Sequence, residues 1–252
     1  MADKIYARLD DIDLSFSDRV VLKNCSLDIV EGAITCIIGL SGAGKSTILR
    51  LLDGLVLPDS GHVYIGDRDL CHASQKHLYE TRRKISLSFQ FAALLDSMSV
   101  GENVALPLRE HTKLKDGEIR RIVMDALESV GLAHTYDNLP AELSGGMLKR
   151  AGFARAIVMR PDLILYDEPT TGLDPIVTHL ITDTIVQLRA KLNGTAVVIS
   201  HDLQSIFMMA DYVAMLFEGA IIAYGLVEEV RKSPNPLVQQ FLRGSEVGPI
   251  PI

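Results

Sequence analysis

A chain of 252 residues with a formal net charge of −7 has no overall basic field to hold nucleic acid, so a nucleic-acid partner is disfavoured. Its 48% hydrophobic and 23% charged content suits a globular protein with a substantial core. The three cysteines, Cys25, Cys36 and Cys71, lack metal-ligand spacing and read as free thiols of a reducing compartment.

Strand-like and helix-like patterns alternate, which points to an α/β class. Ile5 to Leu14 and Leu22 to Ile29 read as strands, with Glu31-Gly32 as a turn. Ile34 to Ile38 is a short apolar run of the kind buried on both sheet faces. A Gly-rich loop follows, then a helix from about Lys45 to Asp53. Leu57 to Gly61 is a turn signal before Val63-Tyr64-Ile65. The basic stretch Lys76 to Lys84 reads as a solvated helix face, and Ile85 to Phe89 as another strand. From Asp116 to Val130 apolar residues recur at helical spacing, with Gly131 placed to cap the end. A further helix begins at Ser144, a good N-cap residue, and ends before Pro161.

Residues 91–160 thus read as a helical insertion between sheet strands. Leu163 to Tyr166 and Ala196 to Ser200 return to short apolar strands, and Tyr212 to Tyr224 reads as a hairpin about Glu218-Gly219. A last helix runs through about Phe241. The expected organisation is one domain over 1–243 and a tail over 244–252, whose Gly248-Pro249-Ile250-Pro251 excludes a regular helix. The longest apolar run, Ile34 to Leu40, is far short of the roughly 20 residues that span a bilayer, and no signal core opens the chain. A cytoplasmic location is expected, with any membrane action exerted through a partner.

Gly39-Leu40-Ser41-Gly42-Ala43-Gly44-Lys45-Ser46 fits G-x-x-x-x-G-K-[ST]. Glycines let the backbone wind so that N–H groups face phosphate oxygens, and the following helix adds its positive dipole end. Lys45 is expected on the β- and γ-phosphates and the Ser46 hydroxyl on Mg²⁺, with Thr47 next in the cradle. Alone, the loop says NTPase or kinase. Leu163 to Glu168 is an apolar strand ending in two acids: Asp167 is suited to holding Mg²⁺ through water, and Glu168 to orienting and deprotonating the attacking water. His201 and Gln90 each follow a strand, where an imidazole can reach the γ-phosphate and an amide can touch Mg²⁺ or the lytic water. Ser144-Gly145-Gly146 at a helix start offers a second anion-binding surface. One nucleotide does not need two such cradles in one chain, whereas two chains packed head-to-tail do.

In this order the motifs resemble the ATPases of ABC transporters over essentially the whole chain. The resemblance implies a P-loop NTPase cassette with a RecA-like core, an antiparallel β subdomain and a helical subdomain. It also implies ATP and Mg²⁺ as cofactors, ATP hydrolysis coupled to transport, and a head-to-tail pair of copies on an integral membrane permease. By resemblance, Leu143 to Met147 is the signature, Gly172-Leu173-Asp174 the D-loop, with Asp174 at the nucleotide, and His201 the switch histidine. Met147 stands where the family's signature usually ends in Gln. Ser17, next to Phe16, stands where many members place an adenine-stacking aromatic. Asn103 to Thr112 and the tail are similar to ATPases of Mla-type phospholipid transport systems. That likeness implies an MCE-domain lipid carrier as partner and a place on the cytoplasmic face of the inner membrane. It also implies a tail that can reach across the ATPase dimer, and a permease docking against Gln90 to Leu95. An importer ATPase for small solutes, or an ABC ATPase that never touches a membrane, fits the same cassette motifs.

Overall fold

The computed structural model describes residues 3–17, 19–88 and 93–250. Two long strands open the chain, β1 (Ile5–Phe16) and β2 (Arg19–Val30), paired antiparallel from Ile5 opposite Val30 to Phe16 opposite Arg19. Both run longer than the sequence pattern indicates, because Ser15 pairs with Val20 and Phe16 with Arg19, which carries the ladder to the turn. Next come β3 (Ile34–Ile38), α1 (Lys45–Leu52), β4 (Ser60–Ile65), the two-residue β5 (Arg68–Asp69), α2 (Gln75–Arg82) and β6 (Ile85–Ser88). Three helices follow: α3 (Val100–His111), α4 (Asp116–Ser129) and α5 (Gly145–Ile157). The chain then returns to the sheet through β7 (Leu163–Asp167), α6 (Pro175–Leu192), β8 (Thr195–Ile199), α7 (Leu203–Met209), β9 (Tyr212–Phe217) and β10 (Ala220–Leu226). It ends with α8 (Val227–Arg231) and α9 (Pro236–Arg243).

The strands form two sheets. One is four-stranded and antiparallel in the order β2-β1-β4-β5; the other is six-stranded in the order β10-β9-β3-β8-β7-β6. From β9 to β6 the pairs are parallel, and β10 adds an antiparallel edge. The six-stranded sheet separates two apolar cores. On one face Ile37, Leu163, Leu165, Val197, Ile199, Ala214 and Leu216 pack with β1, β2, β4 and α1. On the other Ile34, Cys36, Ile38, Ile164, Tyr166, Val198, Val213 and Met215 pack with the helices α3 to α9. Successive residues of one strand therefore enter different cores, which is why β3 and β8 are buried at every position and show no polar alternation.

Local chemistry fixes the helix ends. Ser99 and Glu102 form a reciprocal capping box on α3. Asn103, fully buried, accepts from the Leu95 N–H and donates to the carbonyls of Leu95, Met98 and Ser99, so it builds the turn that leads into α3. His111 at the end of α3 packs edge-on to Tyr79 of α2 and takes a 3.0 Å hydrogen bond from or to its hydroxyl. The Asn103 to Thr112 segment is thus mostly one packed helix. Gly131 caps the α4 end at φ 70, as its place in the sequence predicts. The tail folds back on its own chain: the Gln240 side chain donates to the carbonyls of Ser245 and Ile250 and accepts from the Ile250 N–H at 2.6 Å, and Ile250 enters the helical core. Among the described residues no helix is long and apolar enough to cross a membrane.

Candidate functional site

The parallel strands β3, β8 and β7 lie side by side and bring their C-terminal ends to one edge of the sheet, where open α/β sheets gather ligand groups. The loop from Gly39 to Gly44 leaves β3 there. Gly39 adopts φ 146, and a Cβ on it would lie 2.2 Å from the Leu216 carbonyl oxygen, so only glycine fits between the loop and β9. Gly44 turns the chain into α1 at φ 104, beneath Val21. The N-terminal end of α1, with its positive dipole end, begins directly at this loop. Lys45 folds over this loop and donates to the carbonyls of Gly39 and Leu40, both at 2.9 Å. Burial pushes its ammonium pKa down, while Glu168 and Asp167 oppose that shift.

Ser46 at the start of α1 donates to Asp167 at the end of β7, Oγ to Oδ1 at 3.1 Å. Burial pushes the Asp167 carboxyl up, and the Ser46 hydrogen bond draws it back. Two hard oxygen donors side by side are the ligand chemistry that Mg²⁺ takes. Glu168 follows in the left-handed region at φ 48, its N–H tied to the Ile199 carbonyl at 3.0 Å. The Thr171 hydroxyl donates to its carboxylate at 2.9 Å, and His201 Nδ1 stands 3.4 Å from the same oxygen. A cleft of about 430 Å³ joins Ser41, Gly42, Gly44, Lys45, Ser46, Thr47 and Glu168 with Phe16, Arg19 and Val21. The phosphate loop and the two acids, with His201 beside Glu168, therefore meet at this edge of the sheet. Gln90 lies outside the described residues.

The Ser144 segment does not meet them. Ser144 caps α5, accepting from the Met147 N–H at 3.4 Å, and both it and Gly145 are exposed. Gly146 is buried against α6, where a Cβ would lie 2.5 Å from Val177 Cγ1. Its smallness serves helix packing, with no positive φ in that segment. Asp174 caps α6, accepting from the N–H groups of Ile176 and Val177 at 3.0 Å each, and does not line the phosphate cleft. Gly145 lies beside Leu173 and Gly146 against Val177, so signature and D-loop lie together, and none of these residues lines the phosphate cleft.

Three contributors escape sequence reading. Lys149 on α5 donates to the Thr171 carbonyl at 2.9 Å and approaches the Glu168 carbonyl at 3.5 Å, holding the turn after β7 from the signature helix. Thr171 orients Glu168, and Arg19 donates to the Gly42 carbonyl at 3.4 Å. Helical spacing places Lys149 on α5 but says nothing about which loop it reaches. Phe16, half-exposed on the cleft, is the aromatic nearest the expected adenine platform, whereas Ser17 forms the turn at φ 53.

Comparison with known proteins agrees with this geometry. Residues 22–171 match the model of the ABC transporter family. The chain is 43% identical over 92% of its length, and 88% of the relative's, to the intermembrane phospholipid transport system ATP-binding protein MlaF of Haemophilus influenzae. It is 41% identical over its full length, and 94% of the relative's, to MlaF of Escherichia coli K12. Among solved structures, a dimeric ATP-binding cassette in a post-hydrolysis state bound to ADP and Pi superposes with a TM-score of 0.79 at 29% identity, over 88% of this chain and 98% of the other. With its phosphate loop, acidic strand end and signature helix in these places, the chain belongs to the ABC transporter family as an ATP-binding, ATP-hydrolysing cassette.

Proposed function

We propose that this chain powers the movement of phospholipid between membranes. A pair of copies binds ATP on the cytoplasmic face of the inner membrane and drives a permease that works with an MCE-type lipid carrier. The observation that carries the reading is its similarity, along nearly the whole chain, to ATP-binding proteins of intermembrane phospholipid transport systems. The separation of the Ser144 surface from the phosphate cleft supports the pair. Each chain holds ATP on its own loop and lends Ser144, Gly145, Gly146 and Asp174 to the partner's nucleotide.

In this mechanism the residues 39–47 cradle the triphosphate, and Lys45 exchanges its two carbonyl partners for phosphate oxygens. Ser46, Asp167 and Gln90 would hold Mg²⁺, which would supply charge neutralisation to the phosphoryl oxygens. Glu168, oriented by Thr171 and next to His201, takes a proton from the attacking water. His201 hydrogen-bonds the γ-phosphate and reports its loss to the α6–α7 side. Closure of the pair on ATP and reopening after hydrolysis move the permease.

The test is to tag the chain in its native cell, solubilise membranes in mild detergent and identify co-purifying proteins and lipids. A polytopic permease with an MCE-domain protein and bound phospholipid is expected. A permease with a solute-binding protein would discard the lipid cargo. Soluble partners alone would discard the transporter.

A further inference from the structure

On the far edge of the antiparallel sheet, the β4–β5 hairpin gathers three ligand-type side chains. The register sets Tyr64 opposite Asp69 and Ile65 opposite Arg68. His62, two residues before Tyr64 on β4, therefore shares a face with Asp69 and reaches it diagonally. Leu70 points the other way into the core, as strand alternation requires. His72 follows two residues on and turns back over the same carboxylate. The result is convergent: His62 Nδ1 lies 2.9 Å and His72 Nδ1 2.7 Å from the single oxygen Oδ2 of Asp69. All three ligand atoms fall within 4.8 Å of one another.

The cluster is held from behind. The other Asp69 oxygen, Oδ1, accepts the Cys71 backbone N–H at 2.9 Å. The His62 ring stacks on Tyr64 with centroids 5.9 Å apart and lies 5.5 Å from the His72 ring. The Cys71 thiol approaches the Gly61 carbonyl at 3.8 Å and does not join the group. Hydrogen bonds behind a carboxylate and packing around an imidazole are what fix ligand orientation in metal centres. None of these residues belongs to the phosphate cleft.

We propose that His62, Asp69 and His72 bind a first-row transition-metal dication of the zinc class. Two imidazole nitrogens and one carboxylate select zinc, cobalt or nickel over Mg²⁺ and Ca²⁺, which take oxygen ligands. An ion held about 2.0–2.1 Å from the three atoms takes the place of the hydrogen bonds between the two Nδ1 atoms and Asp69, each neutral ring then carrying its proton on Nε2. The His72 side chain is 74% exposed, and three protein ligands leave a coordination position to water or to a partner's side chain. The site is therefore open and exchangeable, and it stands independently of the transport reading.

The experiment titrates Zn²⁺ into the full, nucleotide-free chain in millimolar MgCl₂, which saturates hard-oxygen sites, with stoichiometry read by calorimetry and Co²⁺ absorption as a second probe. The expected result is one Zn²⁺ per chain, with affinity reduced at least about 10-fold by His62→Ala and by His72→Ala. Zinc should raise the Tm of the wild type and not of the double variant, while ATP hydrolysis in zinc-free buffer is the same for both. Retained far-UV circular dichroism shows that the variants fold, which the half-buried His62 and exposed His72 positions favour. Two results would overturn the site: no stoichiometric binding up to about 100 µM free zinc, or equal affinity in the wild type and the double variant.

Discussion

Glu168 is held in the left-handed backbone region, at φ 48, a conformation that costs a non-glycine residue of the order of 1–3 kcal/mol. Its N–H, carboxylate and carbonyl are engaged by Ile199, Thr171 and Lys149 respectively, which keeps the acid over the cleft despite that cost. Glu168→Gln should lower kcat by about 10²–10⁴-fold, the usual worth of a general base, with ATP affinity retained. Steady-state hydrolysis beside equilibrium nucleotide binding checks this, and near-normal turnover would remove Glu168 from the role. Lys45→Ala should instead weaken nucleotide binding itself, in the same binding assay. A third residue carries a pH signature. Burial pushes the half-buried Asp53 carboxyl up to about 6, with Arg82 opposing. An acid raised above its unfolded value of about 3.9 binds protons in the folded state first. Stability therefore falls as pH rises from about 4 to about 6, and the full penalty stands above that window. Asp53→Asn should raise Tm at pH 7 and bring no gain below about pH 4, as thermal melts across that range would show.

At the scale of elements, α5 meets α6 through Gly146 and Val177, where an added Cβ would sit 2.5 Å from Val177 Cγ1. Gly146→Ala should cost about 1–3 kcal/mol by overpacking, and Val177→Ala in the same chain should recover part of it. Denaturant unfolding of the single and double variants measures the coupling. The same helix is pinned at its far end by Phe153, edge-on to Tyr166 at 5.1 Å, so the signature helix and the strand that delivers Asp167 share a rigid contact. Much of this was legible in the sequence. Apolar runs with no alternation announced strands buried on both faces, and Ser144 announced the start of α5. Glu218 and Gly219, both at positive φ, form the turn that their residue types foretold. What stayed hidden is tertiary. No spacing rule says that Gly146 is small for Val177, that Lys149 holds the turn after β7, or that Asn103 builds the loop before α3. The tail is the clearest case, because its composition excluded a helix without revealing that Gln240 folds it back.

For the whole molecule, the six-stranded sheet with a core on each face places the phosphate loop, Asp167, Glu168 and His201 at one edge, and leaves Ser144 and Asp174 elsewhere. The motifs gave the order of these parts along the chain, and the parallel register of β3, β8 and β7 converts that order into proximity. In the proposed pair each chain carries two incomplete halves of different sites, which has a genetic consequence. A Lys45→Ala chain and a Ser144→Arg chain would each be inactive alone, since every site in either homodimer lacks one half. Mixed in equal amounts and allowed to exchange, about half of the dimers would pair one of each. Such a dimer has one site with both lesions and one with neither. Recovery of about a quarter of wild-type turnover would show that the two sites fire independently; no recovery would show that hydrolysis needs both at once.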